Sequence, residues 1–372
     1  METFKKIELL SQAARYDVCL SSCLDGGRRP DPKDPLYRWI YPAVLPNGKT
    51  VPILKILMDN SCPNSCVYCL HRRGGDCPTI SFRPEELASV FMGLVRSNFV
   101  HGLFLSSGLG SGVKEMMERM IKTSELIRER YKFPGYIHLK VLPGADYSYV
   151  ERATELANRV SINLEAPNKE RLKKIAPQKD FDQLLTPMGW IRSLISQRKT
   201  KARSQTTQFV VGASDESDRE ILQTTAWLYK HFRLGRAYFS AFQPIPNTPL
   251  EDHPPTPLIR EHRLYQADWL LRQYGFRLSE IVFGPDGNLS QRYDPKMTWA
   301  LTHPERFPIE VNTASYEELL RVPGIGPISA KRIITARGRH RFHTLDELRR
   351  TRVVLKRAVR FILINGRWML SE

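Results

Sequence analysis

The chain has 372 residues, too many for one ordinary core and enough for a barrel-sized domain plus a small module. Hydrophobic residues make up 41% and charged residues 26%, as in a globular protein, and no apolar run approaches the length of a membrane span. The net charge of +17 favours polyanionic partners, nucleic acid above all, although a basic surface also aids solubility.

The opening residues lack a signal peptide's apolar core and small-residue cleavage site, which predicts a cytoplasmic protein with no membrane partner. Residues 1–50 read as an N-terminal extension: a short helical pattern (Ile7, Leu9, Leu10, Ala13, Ala14), then the loop DGGRRPDPKDP. From Val51 the pattern alternates. VPILKILM is a buried strand, and RPEELASVFMGLVRSN has helical spacing with Pro84 in its first turn. GLFLSS, YIHLKVL, RVSINLE, TTQFVVG and RAYFSAF follow as strands, with helical patterns between them. Such alternation means a parallel sheet, closed or partly closed as a barrel, with its site at the C-terminal strand ends. A Pro-rich stretch then precedes a helix at 258–274, and residues 276–308 read as an irregular linker. The expected domains are therefore 1–50, 51–250 for the barrel, 251–307 for the helix and linker, and 308–372 as a compact helical tail. No long-range repeat is evident.

Six cysteines are too few for a disulfide scaffold in so long a chain. Cys62, Cys66 and Cys69 follow the first strand of the alternation, in DNSCPNSCVYCLH. Structural zinc usually takes four ligands from paired knuckles, and no second knuckle follows. His71 could complete a zinc site only by crowding into the same tight loop. Three thiolates suit a [4Fe–4S] cluster with one iron left open.

The C-x3-C-x2-C loop after the first strand resembles the signature of the radical S-adenosylmethionine (SAM) superfamily, with Tyr68 as the aromatic before the last cysteine. The resemblance implies a partial (β/α)6 TIM-like barrel. It also implies a cluster held by Cys62, Cys66 and Cys69, with SAM chelated at the open iron and cleaved to a 5′-deoxyadenosyl radical after one-electron reduction. The protein's part is positioning and shielding. Ser106, Ser107 and Gly108, in LSSGLG, stand where the family often has a Gly-Gly-Glu that holds the methionyl amino group; the acid is absent. Asn163 and Glu165, in SINLEAP, are spaced like a ribose-binding pair on one strand face. Val210 and Gly212 match a segment that lies beside the adenine. Cys19, Cys23 and Cys77 read as small buried hydrophobes rather than a second metal site.

The tail, residues 308–372, holds 13 Lys/Arg against 6 Asp/Glu. NTASYEELLRVPGIGPISAKRII reads as a capped helix, a tight hairpin and a second helix. Gly324 and Gly326 permit positive φ, and exposed N–H groups there would form an anion nest at a helix N-terminus. This resembles a helix-hairpin-helix motif, which implies that Gly324, Ile325, Gly326, Lys331 and Arg332 contact a phosphate backbone without reading bases. The whole resembles a bacterial family of radical enzymes of DNA modification or repair with a small all-α C-terminal domain. A radical enzyme acting on RNA is the alternative, and a non-radical DNA-binding protein with a structural cluster the third reading. An electron donor such as flavodoxin or ferredoxin is implied.

Overall fold

The computed structural model describes residues 3–14, 40–44, 50–198 and 200–369. The loop DGGRRPDPKDP, Cys19 and Cys23 lie outside them. Helix α1 (Thr3–Ala13) and strand β1 (Ile40–Val44) precede β2 (Thr50–Leu57), where the expected alternation begins. It runs through α2 (Pro84–Arg96), β3 (Gly102–Ser106), α3 (Val113–Glu125), β4 (Tyr136–Lys140) and α4 (Tyr147–Leu156). It continues with β5 (Arg159–Ser161), α5 (Lys169–Ile175), α6 (Phe181–Ser196), β6 (Ser204–Val211), α7 (Asp218–Phe232) and β7 (Leu234–Ala241). The sheet order is sequential, β1 to β7. Strands β2 to β7 pair in parallel, and β1 adds an antiparallel edge that the alternation does not foretell. Six parallel strands with helical crossovers make the partial (β/α)6 barrel.

The strands sort their side chains by the period of two. Leu54 and Ile56, Leu103 and Leu105, Ile137 and Leu139, Phe209 and Val211 are all buried on one face. The other face is polar over much of its area, and it carries the strand ends on which the cysteine loop opens. The helix after β3 passes into a π-turn at Leu126–Arg130. There Arg128 turns inward and donates to the carbonyls of Leu156, Phe133 and Gly135 and to Asn158 Oδ1. Four acceptors hold a buried guanidinium that would otherwise be costly.

The helix expected after the Pro-rich stretch is α8 (Leu258–Gln273). Contacts divide the chain into two compact units, Met1–Glu216 with Trp227–Glu261, and Ser217–Ala226 with His262–Glu372. Within the second, the segment expected as an irregular linker contains helix α9 (Pro295–Thr302), capped by Asp294, which accepts from Met297 N–H at 3.1 Å. Its Trp299 is buried against Phe276, His303 and Phe307. That packing overrides the weak local pattern. The tail holds α10 (Tyr316–Arg321), α11 (Pro327–Arg337), α12 (Leu345–Arg349) and α13 (Leu355–Ala358). It is not all-α: Ile309–Glu310, Ile362–Ile364 and Arg367–Trp368 form a small three-stranded sheet.

Candidate functional site

The cysteine loop leaves the C-terminal end of β2 and is tied down on two sides. Toward β3, Gly108 N–H donates to Asp59 O (2.7 Å), Gly110 N–H to Ser61 O (3.0 Å) and Ser107 Oγ to Asp59 O (3.3 Å). A Cβ on Gly108 would meet Ser61 O at 2.2 Å, so glycine is required for this close approach. The Asp59 carboxylate folds back onto Ser61 N–H and Oγ and lies 3.6 Å from Arg119. Toward α5, Val67 N–H donates to Ile175 O (2.9 Å) and Ser65 N–H to Gln178 Oε1 (3.2 Å), while Gln178 Nε2 donates to Ser65 Oγ.

The C-x2-C turn closes through Cys69 N–H to Cys66 O (3.2 Å). Cys66 is buried, whereas Cys62 and Cys69 are part-exposed. Burial pushes the Cys66 thiol up, and the nearby Lys179 opposes that shift. Among the described residues, no three His, Cys, Asp or Glu side chains converge as for a single metal ion. A soft three-thiol set in one fixed loop instead fits a cluster, where each thiolate takes its own iron. Cys77 stands apart, its sulfur 3.8 Å from Asn60 Nδ2. Tyr68 is part-exposed within the loop.

Lys179 is a site residue that no motif in the sequence marks. Its Nζ bonds Glu165 Oε1 at 2.8 Å, with both side chains nearly buried. Burial pulls the ammonium pKa down, but Glu165, Cys66 and Cys69 outweigh it and the net shift is upward. Lys179 is thus a fixed positive charge beside two of the three thiols. It follows Cys69 by more than a hundred residues, too far for any local signal.

Strand β5 ends at Ser161, short of the expected RVSINLE. Glu165 rejoins the sheet through a single bridge to Phe209 and has φ +64°, a left-handed value that strains a non-glycine residue. The strict period that would align Asn163 with Glu165 therefore lapses between them, though both are buried. At the end of β6, Gly212 has φ +89°, and a Cβ there would meet Thr256 Oγ1 at 1.9 Å. Gly212 N–H donates to the buried Glu216, and its carbonyl contacts His253 Nε2 at 2.9 Å. Ser106 is buried at the end of β3, and Val210 is part-exposed on β6.

In the second unit, Ser315 caps α10 through a reciprocal pair: Glu318 N–H to Ser315 Oγ (3.1 Å) and Ser315 N–H to Glu318 Oε2 (2.7 Å). The hairpin follows. Gly324 has φ +87°, and a Cβ would meet Val354 O at 2.6 Å. Gly326 does not have positive φ; it is extended (φ −101°, ψ 176°) as the N-cap of α11, with Tyr274 close where a Cβ would project. Ile325 is buried, its N–H donates to Val322 O (3.1 Å), and its carbonyl accepts from the buried Lys296 Nζ (2.5 Å). Ile325 therefore fixes the turn rather than presenting a free amide. Lys331 is exposed and Arg332 part-exposed on α11.

The tail repeats itself. Thr344 and Glu347 reproduce the capping box, and Arg352 (φ +67°) stands where Gly324 does. Val353 and Ala358 are buried in the places of Ile325 and Ala330. The two hairpins join through Val354 N–H to Gly324 O (3.0 Å) and Ser329 Oγ to Arg352 O (2.8 Å). Arg339, Arg341, Arg350, Arg352 and Lys356 are exposed. Arg337 and Arg321 are spent inside the unit, on Val311 O and on Glu280. Asp346 is an exposed partner of Arg349 in the first turn of α12.

Residues 56–228 match the radical SAM superfamily, and residues 306–359 match the helix-hairpin-helix motif. The chain thus carries a radical SAM domain, and that superfamily is a class of enzymes that use a [4Fe–4S] cluster and SAM. It carries a helix-hairpin-helix motif after the radical domain. Solved structures that match part of this chain include the FeFe-hydrogenase maturase HydG from Carboxydothermus hydrogenoformans, at 15% identity and TM-score 0.48, over 59% of this chain and 51% of that one. Methylornithine synthase (PylB) matches at 16% identity and TM-score 0.46, over 72% of this chain and 68% of that one. The cobalamin-dependent SAM radical enzyme OxsB matches at 11% identity and TM-score 0.35, over 77% and 45%. This chain spans about half the length of the HydG maturases. None of the curated proteins matches it. Among the described residues, no helix is long and apolar enough to cross a membrane.

Proposed function

We propose that this chain is a radical SAM enzyme that modifies or repairs DNA. The observation that carries the reading is the pairing, in one chain, of a pinned three-thiol loop at the barrel's strand ends with a hairpin unit rich in exposed cations. When bound, the cluster supplies the electron that cleaves SAM to a 5′-deoxyadenosyl radical, and a flavodoxin or ferredoxin is a fitting donor to it. Cys62, Cys66 and Cys69 hold the cluster. The β3 end at Ser106, Ser107 and Gly108 offers backbone carbonyls to the methionyl amino group, in place of the missing acid. Asn163 and Glu165 take the ribose hydroxyls, and Lys179 fixes the Glu165 carboxylate through Oε1. Val210 and Gly212 border the adenine. In the tail, Gly324 sets the turn, and the Gly326 end of α11 with Lys331 and Arg332 grips phosphate.

The test is an anaerobic assay on reconstituted full-length protein with a strong reductant. It should form 5′-deoxyadenosine, and Cys66→Ala should not; equal activity in that variant removes the cluster assignment. Duplex DNA should stimulate the reaction and, when deuterated, pass deuterium to the product. Stimulation by tRNA and not by DNA would move the reading to RNA.

A further inference from the structure

The concave face of the barrel sheet has an unusual composition. The seven strands contain Lys55, Lys140, Arg159 and Arg236, and no Asp or Glu. Register puts all four cations on the same face. Lys55 pairs with Phe104, Phe104 with His138, and His138 with Arg159. One layer higher, Lys140 pairs with Ser161, Ser161 with Thr206, and Thr206 with Arg236. Cross-strand partners point the same way. The apolar residues between them point the other way and are buried. A flat sheet would hold β4 and β7 about 14 Å apart. The sheet is instead curled as a half-barrel, which brings Tyr136 on β4 and Tyr238 on β7 toward each other across this face.

The lining is built for a ligand that is both anionic and aromatic. Lys55 lies 5.0 Å above the Phe104 ring, and Phe104 meets His138 edge-on at 4.5 Å. Arg236 lies 4.9 Å over Tyr238. Lys140, Arg159, Arg236, Phe104, Tyr136 and Tyr238 are part-exposed and reach the concavity. Beneath them, His138 Nε2, Ser161 Oγ and Thr206 Oγ1 are buried polar atoms without a hydrogen-bond partner among the described residues. Their residues are 6%, 4% and 1% exposed. Buried polar atoms in native proteins are nearly always paired, so three in one patch mark a place where a polar ligand completes the set. Burial, reinforced by Arg159, Lys55 and Lys140, holds His138 neutral, so its ring can donate or accept.

We propose that this concave face binds one unpaired nucleotide, with Lys140, Arg159 and Arg236 on its phosphate and Phe104, Tyr136 and Tyr238 along its base. The proposal rests on the proposed action on nucleic acid and sharpens it. A base held inside the curl of the sheet is parted from its stacked neighbours, so on this proposal the substrate nucleotide is single-stranded or turned out of its duplex. Aromatic faces accept any base, and a sheet face whose strands supply cations and no acid favours the phosphate.

The experiment titrates reconstituted full-length protein, with SAM present, with the four deoxynucleoside 5′-monophosphates and with the same nucleosides lacking phosphate. The monophosphates should bind at least about tenfold tighter than the nucleosides, since a hydrogen bond to a charged group contributes ~1.5–3 kcal/mol. Lys140→Gln with Arg159→Gln should abolish that preference, and so, independently on another strand, should Arg236→Gln. Arg159→Lys should keep part of it. Binding of a short duplex through the tail serves as the folding control and should not change. Equal binding of nucleoside and monophosphate, or full preference in the Gln variants, overturns the site. If monophosphates bind as stated while neither duplex nor single strands bind, the site stands for a free nucleotide and the nucleic-acid reading falls. If polymers bind and monophosphates do not, the reading stands and the site falls.

Discussion

The two units handle charge in opposite ways. In the barrel unit, the charges beside the cysteine loop are buried and locked, Lys179 on Glu165 and Asp59 on Ser61, and away from that loop Arg128 is held by four acceptors. In the hairpin unit the cations divide. Arg321, Arg337 and Lys296 are spent on internal acceptors and shape the turn, while Lys331, Arg339, Arg341 and Lys356 stand in solvent. Buried charge fixes geometry and is costly to disturb. Exposed charge contributes little to stability and is free to meet a polyanion. Mutations of Lys179 and of the exposed cations on α11 should therefore separate the two: stability without salt dependence at the first, salt dependence without stability at the second.

The largest effect is expected at Lys179. Lys179→Met leaves Glu165 buried without its cation, which should cost about 3–5 kcal/mol. Adding Glu165→Leu should recover most of that loss, because no unpaired charge remains. Chemical denaturation of the single and double variants measures both. A single variant within ~0.5 kcal/mol of the parent would show that the pair does not hold this site.

Next come the glycines. Gly324→Ala puts a non-glycine residue at φ +87° and a Cβ at 2.6 Å from the Val354 carbonyl. The backbone strain alone costs about 1–3 kcal/mol. The hairpin cannot relax without moving its twin, so duplex binding should weaken together with thermal stability. Arg352 is the internal control: it already holds φ +67°, so Arg352→Gly should stabilise the hairpin or leave it unchanged. Destabilisation there would break the likeness between the two hairpins.

That likeness explains what can and cannot be read from the chain. The first hairpin is legible because glycines mark its turn in VPGIGP. The second turn, TRVVLK, places an arginine at the left-handed position and offers no such signal. The barrel strands are legible as apolar runs between helical patterns, and the three cysteines by their spacing. Strand β1 lies apart from the alternation, and nothing in IYPAV says that it pairs backward onto β2. Lys179 and the cationic concave face are invisible for one reason: the tertiary fold brings together residues whose local neighbours are ordinary. Helix α9 reads as linker because its segment contains prolines, although Pro295 sits in a first turn, where proline is tolerated.

A smaller effect should appear with pH. His138 is held neutral, its pKa pushed well below the usual 6.5 by burial and then by Arg159, Lys55 and Lys140. In the unfolded chain it takes up a proton below about pH 6.5. The unfolded state therefore binds more protons in that window, and stability falls as pH drops below it, by up to ~1.4 kcal/mol per pH unit for this one group. His138→Gln should flatten the acid limb of the stability profile. An unchanged limb would assign it to the carboxylates instead.

The smallest effect on stability, and the sharpest test of the contrast, is expected at the exposed end of α11. Lys331→Ala with Arg332→Ala removes two cations that stand on the outer side of the helix, so unfolding free energy should stay within ~0.5 kcal/mol. Duplex affinity should fall, and its dependence on log salt should flatten by about 0.9 for each phosphate no longer neutralised. The loss should be the same for unrelated duplex sequences, because contacts to the backbone carry no base information. A slope that stays steep while affinity falls would mean that these two side chains support the turn rather than touch phosphate. The exposed arginines beside the second hairpin would then be the contact surface, and Arg350→Ala with Arg352→Ala should flatten the slope in their place.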